Sequence, residues 1–274
     1  MPDGWDDDHL AANMLEAEFR CWDDTSVDWE GFDRVVIRSA WDYTSRAQEF
    51  LAWCERVGPR RLRNRPDLVA FNADKRYLGE LSSATVPTTF VAAGEPLPQL
   101  RGEVVVKPNI SAGARDTGRF GLAAHAQARA LIGRILQSGR VALVQPYMAA
   151  VHERGETALV YLAGELSHVL RKGAVLDRDE VAPVETGRLG VAKAMLREDL
   201  VVAGEADADE RAFAQRVLGE ICGAFGTPLY ARVDLVRAPD GEPLLLELEA
   251  IEPNLYLATA PGASARMAAA VRAC

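Results

Sequence analysis

Two short runs near the end of the chain hold the side chains best suited to chemistry. Arg232-Val-Asp234 and Glu247-Leu-Glu249 flank Pro239-Asp240-Gly241, a strong turn signal between two apolar runs. Read as a hairpin over Tyr230 to Glu249, the side chains alternate between faces. Val233 and Leu235 then share one face with Leu244, Leu246 and Leu248, and Arg232, Asp234, Glu247 and Glu249 share the other. If Asp240-Gly241 centres an even-length turn, Asp234 lies opposite Glu247 and Arg232 opposite Glu249. Opposed residues have Cβ atoms roughly 4.5–5.5 Å apart, and like charges there repel. A hard divalent cation such as Mg²⁺ takes oxygen ligands and would relieve that repulsion, which makes Asp234, Glu247 and Glu249 candidate metal ligands. The alternative is a solvated strand face with Arg232 as its partner. An odd-length turn with a bulge would shift the register by one.

Upstream candidates are cationic. Lys75 falls in the first turn of a helix expected from an Asn72 N-cap to about Ser82, where a cation opposes the helix dipole. The alternative for it is a surface lysine. Lys107 ends the apolar strand Glu103-Val-Val-Val-Lys107, and Pro108 stops it. The loop 109–119 follows, small and polar, with Ser111, Gly113, Arg115, Gly118 and Arg119. Backbone N–H groups and arginines in such a loop can hold phosphate oxygens, although Gly-Lys-Ser/Thr of a Walker motif is absent. Gln145-Pro-Tyr-Met148 after the apolar strand 141–144 reads as a hinge. A second hairpin, Ala158–Leu162 and Leu166–Lys172 about Ala163-Gly164, delivers His168, Arg171 and Lys172 to one end. For His168 a satisfied or surface histidine is the competing reading.

The elements that position these groups follow from periodicity. Residues 6–19 predict a helix with Asp6, Asp7 and Asp8 at its start. Val35-Val-Ile37 predicts a strand, and Gln48 to Val57 a helix, the start of an open α/β sheet. Ligands in such sheets bind beyond the carboxyl ends of strands. Arg38, Ser39, Trp41, Asp42 and Tyr43 are therefore candidates for a substrate-facing loop, with capping of the core as the alternative for Trp41 and Tyr43. Arg61 to Phe71 reads as a basic linker. Helices are expected over 126–137, 209–225 and 264–272, and no clear core pattern over 173–190. An open sheet usually begins on a strand, so a first strand is expected to be missing.

The chain has 274 residues, about half of them apolar, enough for two or three lobes. A net charge of −9 argues against nonspecific nucleic-acid binding. Cys21, Cys54, Cys222 and Cys274 lack metal-ligand spacing and suit a reducing cytoplasm. No apolar run of about eighteen residues predicts a membrane span, and the acidic N-terminus does not resemble a signal peptide. A C2 homodimer is the default expectation.

Taken in order, these pieces resemble the ATP-grasp superfamily over residues 34–272. Within it, Ile37-Arg-Ser-Ala-Trp-Asp-Tyr43, Asn72-x-Asp-Lys75, Ser167-His-x-x-Arg-Lys172 and Glu247-Leu-Glu-x-Ile-Glu-Pro253 look like the cycloserine-ligase-like branch. The resemblance implies a mixed α/β fold of three lobes. These would be an N-terminal substrate lobe over 1–71, a central lobe over 72–146 and a C-terminal lobe with the metal site over 147–274. It implies ATP and Mg²⁺, with two ions and Mn²⁺ as a substitute. Lys75, Lys107, Ser111 and Gly113 would meet the phosphates. Gln145, Tyr147 and Met148 would meet the adenine, and Glu153 the ribose. Arg232 would stabilise the transferring phosphoryl group, assisted by Lys172 and Arg171. Arg38, Ser39, Trp41, Asp42, Tyr43, His168 and Asn254 would face the substrate. Where the superfamily pattern ends in Glu-x-Asn, Glu249 stands here. The activity implied is carboxylate–amine ligation through an acyl phosphate, in small-molecule biosynthesis, acting on one molecule or two. The alternatives are a kinase that stops at a phosphorylated product and a nucleotide-binding regulatory domain.

Overall fold

The computed structural model describes residues 11–15, 17–181, 197 and 199–274. Three sheets carry the described residues. The first is a parallel pair, β1 (Val35–Val36) and β2 (Leu62–Arg63), linked by helix α1 (Ala47–Val57). The apolar face of α1 buries Phe50, Trp53, Cys54 and Val57 against Val35, Ile37, Tyr43 and Leu62. Helix α2 (Pro66–Ala73) follows, with proline in its first turn. A 3-10 turn over Lys75–Gly79 comes next, N-capped by Asp74, whose carboxylate accepts from the Arg76 N–H.

The second sheet has the order β3-β6-β4-β5, from β3 (Thr89–Val91), β4 (Val104–Pro108), β5 (Gly118–Phe120) and β6 (Ala142–Pro146). Helix α3 (His125–Gln137) packs Ala128, Leu131, Ile132 and Ile135 onto Val104, Val106 and Phe120. After the short α4 (Ala150–Arg154) comes the third sheet, in the order β11-β10-β7-β8-β9. Its strands are β7 (Glu156–Leu162), β8 (Glu165–Lys172), β9 (Val201–Ala203), β10 (Tyr230–Arg237) and β11 (Pro243–Glu249). Helix α5 (Ala208–Phe225) opens with an Asp207/Glu210 capping box and buries Phe213, Val217, Leu218 and Ile221 on one sheet face. Helix α6 (Ala263–Ala273) covers the other face.

Several elements differ from the sequence reading. Of the helix expected over 6–19, residues 6–10 and 16 lie outside the described residues, Ala11 and Ala12 are helical, 13–15 form a turn, and 17–20 are not helical. The expected linker 61–71 holds β2 and most of α2. Asn72 is not an N-cap but sits inside α2, where its side chain brackets the far strand. Nδ2 donates to Leu248 O at 2.8 Å, and Oδ1 accepts from Ala250 N at 2.8 Å. A polar side chain that fits a cap by type is used for a tertiary bridge, a choice invisible in local sequence. Among the described residues no helix is long and apolar enough to cross a membrane, and all four cysteines are free.

Candidate active site

The β10–β11 hairpin builds one wall of the site, by a route other than an even-length turn. Arg237 pairs with Pro243, so the turn is odd and centres on Asp240. Val236 pairs with Leu244 and Leu235 with Leu245, and a bulge then restores the other register. Beyond it Asp234 stands opposite Glu247, Val233 opposite Leu248 and Arg232 opposite Glu249. The bulge also corrects the expected apolar face. Leu245 and Leu248 join Val233 and Leu235 in the core under α5, whereas Leu244 and Leu246 pack with Val86, Met148 and Val151 on the other side.

The hairpin, with Lys172 of β8 beside it in the same sheet, faces β4 across a cavity of about 300 Å³, the size at which small-ligand pockets begin. Lys75, Lys107, Lys172, Arg232, Asp234, Glu247 and Glu249 all line it. So do Ser111, Gly113, Gln145, Tyr147 and Met148, and, at the N-terminal side, Trp41, Tyr43 and Asn254.

Its charges interlock. Arg232 grips Asp234 in a two-pronged pair, Nε to Oδ1 at 2.8 Å and Nη2 to Oδ2 at 2.9 Å, and also contacts Glu249. Lys172 Nζ lies 2.7 Å from Asp234 and 3.0 Å from Glu156. Lys75 Nζ lies 3.0 Å from Glu247 and donates to Ser111 O at 2.7 Å. Burial would drive the Asp234 carboxyl up, but Arg232 and Lys172 overcome it and hold the group far below the carboxylate range. For Glu247 burial likewise opposes ionisation, and Lys75 and Lys107 prevail, so it too is lowered. Glu249 goes the other way, raised by burial against the pull of Arg232, with Asp234 and Glu247 adding to the rise. Lys107 is lowered, first by burial, although Glu247 pulls against it. Burial and then the Glu249 carboxylate push Glu252, also on the cavity wall, up to about 8.

The hairpin carboxylates fit a hard cation by donor type, since two of the three are held ionised and all three face one cavity. Among the described residues, no three carboxylate, histidine or cysteine groups stand together as an ion cage. The reason is visible: Lys75, Lys172 and Arg232 take the carboxylate oxygens and act as stand-in cations.

Six predicted residues do not line the cavity. Glu153 sits exposed on α4, and Glu156, on β7, reaches the cavity instead. Arg171 precedes Lys172 on the opposite face of β8, as strand alternation demands, and donates to Thr157 Oγ1 and Glu205 O. His168 is buried, its Nε2 2.7 Å from Leu255 O, and burial lowers its pKa. Arg38 donates to Pro253 O at 2.5 Å and lies over the Tyr230 ring. Asp42 accepts from Trp22 Nε1 at 3.1 Å, and Ser39 is exposed. Arg38 and His168 thus brace the segment 253–255, which carries Asn254.

The sequence reading passed over Glu156, Glu252 and the brackets that hold the hairpin. The Tyr77 hydroxyl donates to Leu248 O at 2.9 Å and accepts from Leu248 N at 2.8 Å. The Asn64 amide donates to Tyr230 O and Ala250 O and accepts from Leu229 N. Glu252 did carry a signal, as the third acid of Glu247-Leu-Glu-x-Ile-Glu252. Tyr77 and Asn64 carried none.

Known proteins resemble this chain in sequence and fold. A family model described as the N-terminal domain of D-cycloserine synthetase DcsG matches residues 3–64. The chain is 36% identical over 275 residues to the cycloserine biosynthesis protein DcsG of Streptomyces lavendulae, covering 94% of this chain and 88% of that one. The crystal structure of D-cycloserine synthetase DcsG is similar with a TM-score of 0.83 at 35% identity, over 96% of this chain and 91% of that one. A D-alanine–D-alanine ligase from Bacillus anthracis, complexed with ATP, shares the fold alone, with a TM-score of 0.56 at 15% identity, over 88% of this chain and 75% of that one. The two α+β units and the cleft between them are those of an ATP-grasp protein. Within that superfamily the chain belongs to the cycloserine-ligase branch, and it is an ATP-dependent ligase joining a carboxylate to an amine in natural-product biosynthesis.

Proposed function

We propose that the cavity holds ATP with its phosphates toward Lys75, Lys107 and the loop 109–117, and its adenine toward Gln145, Tyr147 and Met148. The supporting observation is that the lysines and the carboxylate-bearing hairpin line one cavity, with Lys75 3.0 Å from Glu247 and Lys172 2.7 Å from Asp234. Asp234, Glu247 and Glu249 would hold Mg²⁺, two ions in our reading, with Mn²⁺ as a substitute. When bound, the metal neutralises charge on the transferring phosphoryl group. Phosphates drawing Lys75 and Lys172 away would free the carboxylate oxygens for it.

Arg232 is buried and fixed by Asp234 and by Asn254 O at 2.9 Å, so its guanidinium needs no reorganisation to meet developing charge. A substrate carboxylate placed near Trp41, Tyr43 and Asn254 attacks the γ-phosphorus, the bond to ADP oxygen breaks, and an acyl phosphate results. An amine nitrogen then adds to the acyl carbon, phosphate leaves, and the nitrogen gives up its proton. The relative's name, a cycloserine synthetase, favours acid and nitrogen within one molecule; the D-alanine–D-alanine ligases favour two. Three lobes, over 1–71, 72–146 and 147–274, organise the work, although α2 straddles the first boundary. We place the reaction in the cytoplasm, where ATP is supplied and free thiols persist, and take a homodimer as the default assembly.

The test is ADP release over a panel of carboxylic acids and amines. A ligase releases ADP fully only when both groups are supplied. Full ADP release with a lone carboxylate that lacks any amine would favour a kinase instead.

A further inference from the structure

Beyond Asn109, which is tied to Asp74 and Val141, the loop 109–117 is pinned by three further side chains. Lys75 Nζ donates to Ser111 O, and Arg140 Nη2 donates to Asp116 Oδ2 at 2.5 Å. The third pin leaves the central sheet altogether. Arg115 Nη2 donates to Trp41 O at 2.6 Å and to Thr44 Oγ1 at 2.9 Å, both in the 3-10 turn Trp41–Ser45 of the N-terminal unit. Its Nε folds back onto Ala112 O at 3.0 Å. Arg115 is 4% exposed and Thr44 6%, so this contact is sealed from solvent.

The backbone is bent to make it. Gly113, Ala114 and Asp116 have φ of +63°, +57° and +51°, a region that costs alanine and aspartate of order 1 kcal/mol or more each. That bend turns Arg115 inward. On the far side of the turn, Trp41 lines the cavity and its Nε1 donates to Glu252 O at 3.3 Å. One hydrogen-bonded path thus runs from the loop, through Arg115 and the Trp41 turn, to the segment bearing Glu252 and Asn254.

We propose that Arg115 is a positioning residue that locks the loop 109–117 to the Trp41–Ser45 turn, so that enclosing the nucleotide and ordering the acid-binding wall are one event. The inference rests on the nucleotide reading above. An acyl phosphate is lost to water if the loop and the acid wall close independently. A planar guanidinium can serve acceptors on two separate elements at once, which the point charge of lysine does poorly. Linkage then requires that a nucleotide ordering the loop also order the turn, and the reverse.

Hydrogen–deuterium exchange on the full chain tests this, with and without Mg²⁺ and the non-hydrolysable analogue AMP-PNP. In the wild type the analogue should slow exchange at least about fivefold both in 109–119 and in 40–46. Arg115→Lys and the near-isosteric Thr44→Val should keep the protection of 109–119 and lose that of 40–46. A merely structural role would raise exchange equally with and without nucleotide. Calorimetry on Thr44→Val, whose side chain lies outside the nucleotide cavity, should give an analogue affinity within about threefold of wild type. Tight binding with protection of 40–46 undiminished in both variants, or with none in the wild type, overturns the inference alone. Failure of the wild type to bind the analogue overturns the nucleotide reading on which it stands.

Discussion

Glu252 permits a test of the site's electrostatics that needs no substrate. No hydrogen bond or ion pair holds its carboxylate among the described residues, and burial followed by Glu249 pushes its pKa up to about 8, from an ordinary 4.5. A carboxyl with a raised folded-state pKa stabilises the protein fully below its unfolded value. That contribution is lost as pH climbs through the folded value. The displacement of roughly 3.5 pH units, at about 1.36 kcal/mol each, sets a ceiling of ~5 kcal/mol. The side chain opens onto the cavity and is partly screened, so we expect ~2 kcal/mol. Glu252→Gln is neutral at every pH. Without nucleotide, the variant should match wild type near pH 4, below the unfolded value, and exceed it by ~2 kcal/mol near pH 9, about 4–8 °C in Tm for a chain of this size. Thermal unfolding at the two pH values is the assay. A variant-minus-wild-type difference that is flat with pH, or that shrinks toward pH 9, would refute the reasoning.

Other consequences concern the charge network and its scaffold. Glu247→Gln should lower Mg²⁺-dependent turnover by on the order of 10²–10³-fold with a near-native Tm, read by ADP release; near wild-type turnover would remove Glu247 from the metal set. Asp234→Asn should lose as much activity and in addition about 3 kcal/mol of stability, because Lys172 and Arg232 both lean on that carboxylate. Arg232→Ala should cut kcat far more than it weakens nucleotide binding by calorimetry; equal losses would deny it a transition-state role. Asn64→Ala strands three buried backbone groups and should cost about 3 kcal/mol, seen as a lowered Tm with the charge network unchanged in sequence.

The contrast between Lys172 and Arg171 shows how far local reading reaches. Strand alternation alone puts adjacent residues on opposite faces, yet the sequence reading sent both to one end of the hairpin. The structure keeps Lys172 on Asp234 and gives Arg171 to Thr157 and Glu205. Similarly, Glu153 and Glu156 are close in sequence, but the short helix α4 and its Gly155 C-cap turn the first outward before β7 carries the second to the cavity. The register of the acidic pairs came out as read, though from a different turn: an odd turn plus a bulge gives the same pairing beyond the bulge as an even turn.

The sequence by itself determined the order of lysines, loop and acidic hairpin, the helices over 47–57, 125–137, 208–225 and 263–273, and the charge types of the site. Those depend on periodicity, turn chemistry and residue type, all of them local. Tertiary structure alone decided that Asn64, Asn72 and Tyr77 clamp the hairpin from outside, that among the described residues no salt bridge reaches Glu252, and that Arg115 reaches the Trp41 turn. Each of these is a contact between residues far apart in the chain, and its energy comes from burial and hydrogen bonding that exist only once the sheets have met.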